Sequence, residues 1–377
     1  MFIEIKGVQF VNKGAELMLL AVISKVHEIW PDAKIVLKHN SNSPYEKRAK
    51  LGTYQKLEWK MKWLEKLFSE KFLKKLILRY GLVSDKYISM TLDASGFAYG
   101  DQWGRRGVKN LCRDLRKSSV SGKKYFLLPQ AFGPFSDNTD KSLLTKALPL
   151  AAMVCARERS SYASIEAISS NINNLYLYPD FTNLLEGRCP DYYKNGANKV
   201  LIIPNSNMIS SRNENKGWVD VYLEKLNLMV QVITAKGLVP VLLNHEGKGD
   251  AEICRQLNEL NGQNLEMICD DNPLHVKGII GASAAVISSR FHACVSALCQ
   301  GVPCLGTSWS HKYERLFEDY NKGDYIISPT LDLSGISQMF DRAFVKSGDE
   351  YQEYLASIQR EKQKAEDMWK KIGNASL

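Results

Sequence analysis

Residues 281–317, GASAAVISSRFHACVSALCQGVPCLGTSWSHKYERLF, hold the reading that decides the fold. The apolar run AAVIS ends in Ser288, Ser289 and Arg290. The small-residue stretch FHACVSALCQ follows and stops at Gly301, with Pro303 beyond it, which is the punctuation of a helix end. This predicts a strand, a turn and a helix, one unit of a parallel α/β layer. In such layers ligands bind beyond the carboxyl ends of the strands, where a helix N-terminus offers backbone N–H groups and a partial positive charge. Arg290 and His292 fall at that point. After the next apolar stretch, VPCLGTSWS, His311 and Lys312 bring two more potential cations to the same edge.

Working outward, apolar runs alternate with helical patterns in two series. The first contains FIEIKGVQF, AKIVLK, YISMTLDA, KYFLLPQ and MVCARE, with a helical stretch at 16–30. The second contains KVLIIPN, a helix at 217–236, LVPVLLN, LEMIC, AAVIS and PCLG. The stretch EGRCPDYYKNGAN, 186–198, is rich in turn residues and reads as the linker. With 377 residues the chain exceeds what one core usually supports. The expected organisation is an N-terminal parallel-sheet domain over 1–186, a second over 199–348, and a closing helix over 349–377.

Composition narrows the function classes. Hydrophobic residues make up 45% and charged residues 24%, the balance of a globular protein. No run of about 18 uncharged apolar residues occurs, which argues against a membrane span. MFIEIKGVQF carries Glu4 and Lys6 within its apolar run and reads as a first strand, so a cytoplasmic location is expected. The eight cysteines lack CxxC spacing and read as free thiols. The formal charge of +9 asks for an anionic partner. Nucleic acid is disfavoured, because no zinc finger, RNA-binding signature or long basic block is present. Two sources remain, an anionic small molecule and an anionic membrane surface. For the second, residues 59–80, WKMKWLEKLFSEKFLKKLILRY, read as a basic amphipathic helix that either lies at the inner face of the cell membrane or docks on the core.

The 281–317 segment resembles the C-terminal signature of the polysaccharide pyruvyl transferase family: an Arg-aromatic-His step, a small-residue helix, a Gly-Val-Pro turn and a following Lys. Weaker likeness runs, in family order, through FVNKGAELML (10–19), LLPQAFGPF (127–135), CARERSSYASI (155–165) and YPDFTNLL (178–185). The resemblance implies a GT-B-like fold, two Rossmann-like parallel-sheet domains facing a central cleft. It implies transfer of the pyruvyl group of phosphoenolpyruvate onto two hydroxyls of a sugar, with release of phosphate. Partners are then phosphoenolpyruvate as co-substrate and a sugar acceptor, lipid-linked or nucleotide-linked.

The resemblance also assigns residues. Phosphoenolpyruvate carries a carboxylate and a phosphate, and the planar fork of arginine suits both. Arg290 and Arg157 are the first candidates to bind it, joined by Lys312 and His311. Arg157 sits in an Arg-acid-x-x-Ser turn with Glu158 and Ser161. His292 is either the general acid or a cationic phosphate ligand. The chain departs from the family's Asn-x-Gly-Asp pattern, having Asn12, Lys13, Gly14, Ala15 and Glu16. Glu16 then either supplies the missing carboxylate or only favours its helix N-terminus by charge. Asn12 and Gly14 fit a tight strand-to-helix turn on the acceptor side. Gly96, Gln130 and Gly133 end two further strands there, with Tyr99 and Trp103 as aromatic faces for a sugar.

No metal is expected, since no His/Cys/Asp cluster shows ligand spacing, and no cofactor beyond the co-substrate. Two other readings keep the fold. One is a GT-B glycosyltransferase with a nucleotide-sugar donor, which usually places a carboxylate near this helix, whereas residues 288–303 contain none. The other is a non-catalytic sugar-binding relative, which Ala15 permits.

Overall fold

The computed structural model describes residues 1–57, 69–169, 172–211, 213 and 215–376. Its apolar runs form two separate parallel sheets, as their alternation with helices demands. Residues Met1–Val11, Met18–Phe181 and Ala365–Leu377 make one compact unit, and Asn12–Leu17 with Thr182–Lys364 make the other.

The first unit contains β1 (Phe2–Lys6), β2 (Lys34–Leu37), β3 (Tyr54–Lys56), β4 (Leu82–Val83), β5 (Ile88–Asp93), β6 (Lys124–Gln130), β7 (Met153–Ala156) and β8 (Leu175–Leu177). They order as β4-β3-β2-β1-β5-β6-β7-β8, every pair parallel. The described helices of this half are α1 (Lys13–Ile29), α2 (Tyr45–Lys50), α3 (Glu70–Tyr80), α4 (Arg105–Val120), α5 (Asn138–Ala147) and α6 (Arg159–Ile168). A core of Leu111, Leu115, Leu127, Val154 and Ile165 fixes α4 and α6 to their sheet.

The second unit contains β9 (Lys199–Ile203), β10 (Val239–Asn244), β11 (Glu266–Cys269), β12 (Ala285–Ser288), β13 (Cys304–Thr307) and β14 (Ile326–Ile327), in the order β11-β10-β9-β12-β13-β14. All pairs are parallel. Its helices are α7 (Tyr222–Ala235), α8 (Gly247–Leu260), α9 (Pro273–Ala282), α10 (Phe291–Leu298), α11 (Lys312–Asp319), α12 (Leu333–Phe344) and α13 (Asp349–Ser376), the last of which ends in the first unit. The stretch 186–198 lies inside this second unit, where the Arg188 N–H donates to the Leu274 carbonyl at 2.8 Å.

Strand order reverses between β9 and β12, and such a switch point opens a crevice beyond the strand ends. Val200–Ile203 and Ala285–Ser288 are buried there, because helices cover both faces of a parallel sheet. The reading of 59–80 as a single helix needs correction. Residues 58–68 lie outside the described residues, and Ser69 is extended (φ −62°, ψ 155°), its side chain accepting from the Phe72 N–H. Serine at that place caps a new helix, so α3 begins at Glu70. Among the described residues no helix is long and apolar enough to cross a membrane. All eight cysteines are free thiols, six of them buried.

Candidate functional site

The turn after β12 carries the expected cations, and its position has a local cause. Ser288 Oγ accepts from the Arg290 N–H at 2.9 Å, holding Arg290 extended at the N-cap of α10. Behind the turn, the Ser289 carbonyl accepts from Asn205 Nδ2 at 2.9 Å and from the Tyr313 hydroxyl at 2.7 Å. Ala293, Cys294, Ser296 and Ala297 are all buried, because only small side chains let α10 pack this closely. The helix N-terminus is thereby fixed at the switch point.

Arg290 does not stand alone. Its Nε donates to Asp250 Oδ2 at 2.7 Å and its Nη2 to Asp250 Oδ1 at 2.6 Å, while Nη1 donates to Glu246. Asp250 is fully buried in the first turn of α8 and also accepts from the Ser206 N–H at 2.9 Å. The carboxylates absent from residues 288–303 therefore arrive from the turn after β10 and the first turn of α8. A guanidinium has five N–H donors, so one on each Nη stays uncommitted among the described residues. Burial works against the charged guanidinium, but the Asp250 and Glu246 charges outweigh it and raise its pKa.

The segment Asn12–Leu17 belongs to this unit, so Asn12, Gly14 and Glu16 lie in the unit that carries Arg290. Asn12 does two things. Its Oδ1 accepts from the Ala15 N–H at 3.0 Å, capping α1, and its Nδ2 donates to both oxygens of Glu246 at 2.9 Å. Gly14 lies under the His292 ring: a Cβ built there would meet Nδ1 at 2.2 Å. The glycine makes room for His292. Lys13 donates to the Asp271 carbonyl at 2.5 Å, and its ammonium lies 3.7 Å from Oε2 of the buried Glu16 in the first turn of α1.

Lys312 opens α11, largely buried, with its ammonium 4.5 Å from the Trp309 ring centre, 5.4 Å from Phe291 and 5.7 Å from Tyr313. Three aromatic faces stabilise that cation without neutralising it. His311 is the half-buried N-cap residue of the same helix.

Arg157 lies in the first unit, at the end of β7, donating to Asp180 at 3.3 Å, with Glu158 at 3.7 Å. Ser161 Oγ accepts from the Phe132 N–H at 2.7 Å and hydrogen-bonds Glu158, which ties the 157–161 turn to the loop after β6. Buried Gln130 donates to the Asp93 carbonyl at 3.1 Å. Gly96 (φ +67°) and Gly133 (φ +80°) both hold left-handed backbone that side chains disfavour, and their loops join through the Ala131 N–H and the Gly96 carbonyl at 2.8 Å. Tyr99 is buried and donates to Asp93 at 2.8 Å, so it is a core residue and not a sugar platform, while Trp103 is exposed.

Sequence reasoning missed Glu246, Asp250 and His245. The signal was NHEGKGD at 244–250, which follows an apolar run and so falls at the same strand ends. His245 is 6% exposed and its Nδ1 has no hydrogen-bond partner among the described residues. Burial first, then the charges of Arg290, His292 and Lys13, push its pKa well below the ordinary histidine value. Burial raises the Glu246 carboxyl although Arg290 pulls it down.

A family model described as polysaccharide pyruvyl transferase matches residues 12–311. No curated protein sequence matches the chain. Among solved structures, a glycosyltransferase from Rickettsia africae aligns over 100% of this chain and 97% of its own, with a TM-score of 0.55 at 12% identity. S. aureus MnaA, in a co-structure with UDP, covers 97% of this chain and 91% of its own at a TM-score of 0.54 and 11% identity. Anabaena HepE in complex with UDP and glucose covers 97% and 94%, with a TM-score of 0.51 at 11% identity. The likeness is one of fold, two parallel-sheet α/β domains of the GT-B kind.

Proposed function

Since the chain belongs to the polysaccharide pyruvyl transferase family, we propose that it moves the pyruvyl group of phosphoenolpyruvate onto two hydroxyls of a sugar in polysaccharide or cell-surface glycan synthesis. The observation that carries this reading is the β12–α10 turn, where a helix N-terminus, Arg290, His292 and Lys312 belong to one unit of the fold. A small trianion needs such a set, and the helix N-terminus adds N–H donors.

The chemistry balances as follows. A proton adds to the methylene carbon, and the electron-poor carbon beside it accepts the first hydroxyl. The bond to the phosphate oxygen then breaks with its electron pair on phosphate, and the second hydroxyl closes the ketal. Of the two hydroxyl protons, one makes up the proton gained by the methyl group and one leaves with phosphate. His292, held against Gly14, is the proposed acid, and the Nη edge of Arg290 the proposed anion fork. His311 is a further proposed donor contact of the second unit; in the first unit Arg157 is proposed to bind an anion and Gly96, Gln130 and Gly133 the acceptor sugar. The reading requires no metal and no cofactor beyond the co-substrate. Glu16, paired with Lys13, serves as the carboxylate of the N-terminal turn.

The acceptor is read as a lipid-linked sugar at the cytoplasmic face of a membrane. What supports this is α3, where Phe72, Leu78 and Tyr80 are exposed among Lys71, Lys74, Lys75 and Arg79. Apolar and basic side chains so mixed suit an anionic interface.

One observation favours a second reading. Glu246 and Asp250 place carboxylates beside α10, where a nucleotide-sugar enzyme would bind ribose hydroxyls. A thermal shift with phosphoenolpyruvate and with uridine diphosphate separates the two. A ligand at 100 times its Kd stabilises by about 2.7 kcal/mol. Phosphoenolpyruvate alone should raise the melting temperature; a rise with uridine diphosphate alone would reverse the assignment.

A further inference from the structure

Resting on that donor-site reading, we propose that His245 is an additional anion-contacting residue, its Nδ1 reserved for a phosphate oxygen of the donor, and that donor binding brings a proton onto its ring. His245 directly follows β10, one strand removed from β12 in the sheet order, with β9 between. A buried ring nitrogen without a partner is costly, and most such atoms in folded proteins are satisfied. The charged groups that act on it are Arg290 and His292 from the β12–α10 turn and Lys13 from α1, with Glu246 next to it in the chain and bound, like Asp250, to Arg290. Glu246 and Asp250 are already committed to Arg290, and Lys13 is paired with Glu16 and Asp271. Among the described residues, what is left for a new ligand is the pair of uncommitted Arg290 N–H donors and the His245 Nδ1.

In the unliganded protein, burial and those cations keep the imidazole neutral. A phosphate dianion seated among Lys13, Arg290 and His292 reverses the local field, because an opposite charge within a few ångströms favours the charged form. The ring then takes a second proton and donates from Nδ1 in a charge-assisted hydrogen bond. His245 thus couples donor occupancy to protonation, in the chemistry expected of a phosphomonoester ligand.

The test is calorimetric titration of phosphoenolpyruvate at about pH 7, where a phosphate pKa of about 6 leaves it mostly dianionic, in two buffers of different ionisation heat. Wild type should take up close to one proton per ligand. Asparagine keeps an N–H near the Nδ1 position but cannot titrate, so His245→Asn should lose the uptake and keep part of the affinity. His245→Gln loses both, with affinity falling about ten-fold or more. His292→Asn should retain the uptake. Unchanged affinity and uptake in both His245 variants, or uptake lost only with His292→Asn, overturns the proposal and leaves the donor site standing. No phosphoenolpyruvate binding to wild type fails the donor reading itself. Should the variants not fold, nitrogen NMR of the wild-type His245 ring decides: a shift to imidazolium on donor binding is expected, and an unmoved ring overturns the proposal.

Discussion

Replacing Gly14 by Ala puts a methyl carbon 2.2 Å from His292 Nδ1, 2.7 Å from its Cγ and 2.8 Å from its Cε1. Non-bonded heavy atoms settle at about 3.5 Å or more, so the ring must retreat by roughly 1.3 Å. The backbone itself raises no objection. Gly14 is the second residue of a 17-residue helix, and Ala there gains about 0.5–1 kcal/mol of helix preference. That gain partly offsets an overpacking cost of about 1–3 kcal/mol. The melting temperature should therefore move by only a few degrees. Catalysis should not be spared, because a misplacement of about 1 Å at a reacting group can cost on the order of 100-fold. Phosphate release from phosphoenolpyruvate and thermal melting are measured on the same preparations. A double-mutant cycle sharpens the result: on a His292→Ala background the methyl finds room, so Gly14→Ala should have no further effect. Full turnover by Gly14→Ala at unchanged melting would refute the claim that this glycine seats His292.

Three other outcomes follow from the same geometry. Asp250→Asn keeps the side-chain volume but removes the buried charge that holds the half-buried Arg290; breaking such a pair costs up to about 3–5 kcal/mol, read by chemical denaturation, and a loss near zero would show the pair to be incidental. His245 has its folded pKa well below the ordinary histidine value of about 6.5, so its neutral form is the one the fold favours. Stability from this group is present above pH 6.5 and is lost progressively as pH falls from there toward the folded value, with a slope of up to about 1.4 kcal/mol per pH unit. His245→Gln should flatten that acid limb of the melting profile, and an identical limb would contradict it. Replacing Lys71, Lys74, Lys75 and Arg79 of α3 by Gln should weaken sedimentation with anionic liposomes while sparing turnover on a soluble acceptor; equal sedimentation would assign the helix another role.

The sheets were legible because their central strands are rich in apolar residues, as continuous runs in VLII, AVIS and YFLLP and with Glu4 and Lys6 interspersed in FIEIK. β3, β4, β8 and β14 were not, since two or three residues carry no period. Arg290 and His292 could be placed at strand ends from local sequence alone, because strand, turn and helix N-terminus are contiguous. The partners of Arg290 could not. Glu246 and Asp250 lie 44 and 40 residues away and reach it only because β10 and β12 flank β9. Gly14 reads from the sequence as part of a tight strand-to-helix turn on the acceptor side, whereas in the fold it belongs to the unit of Arg290 and makes room for a histidine 278 positions later (292 − 14). Ser69 broke a pattern that spacing alone joined, since a cap acts through one hydroxyl and leaves the apolar period intact.

The central claim is that the β12–α10 turn binds phosphoenolpyruvate through Arg290, and calorimetric titration of that ligand into wild type and Arg290→Lys tests it most directly. Lysine preserves the charge but loses the fork and cannot hold Asp250 side-on while presenting an N–H pair to a ligand. The account predicts saturable binding to wild type and at least a ten-fold loss in Arg290→Lys, with both proteins folded by circular dichroism. Equal phosphoenolpyruvate affinity in the two proteins, or uridine diphosphate binding in its place, would contradict it.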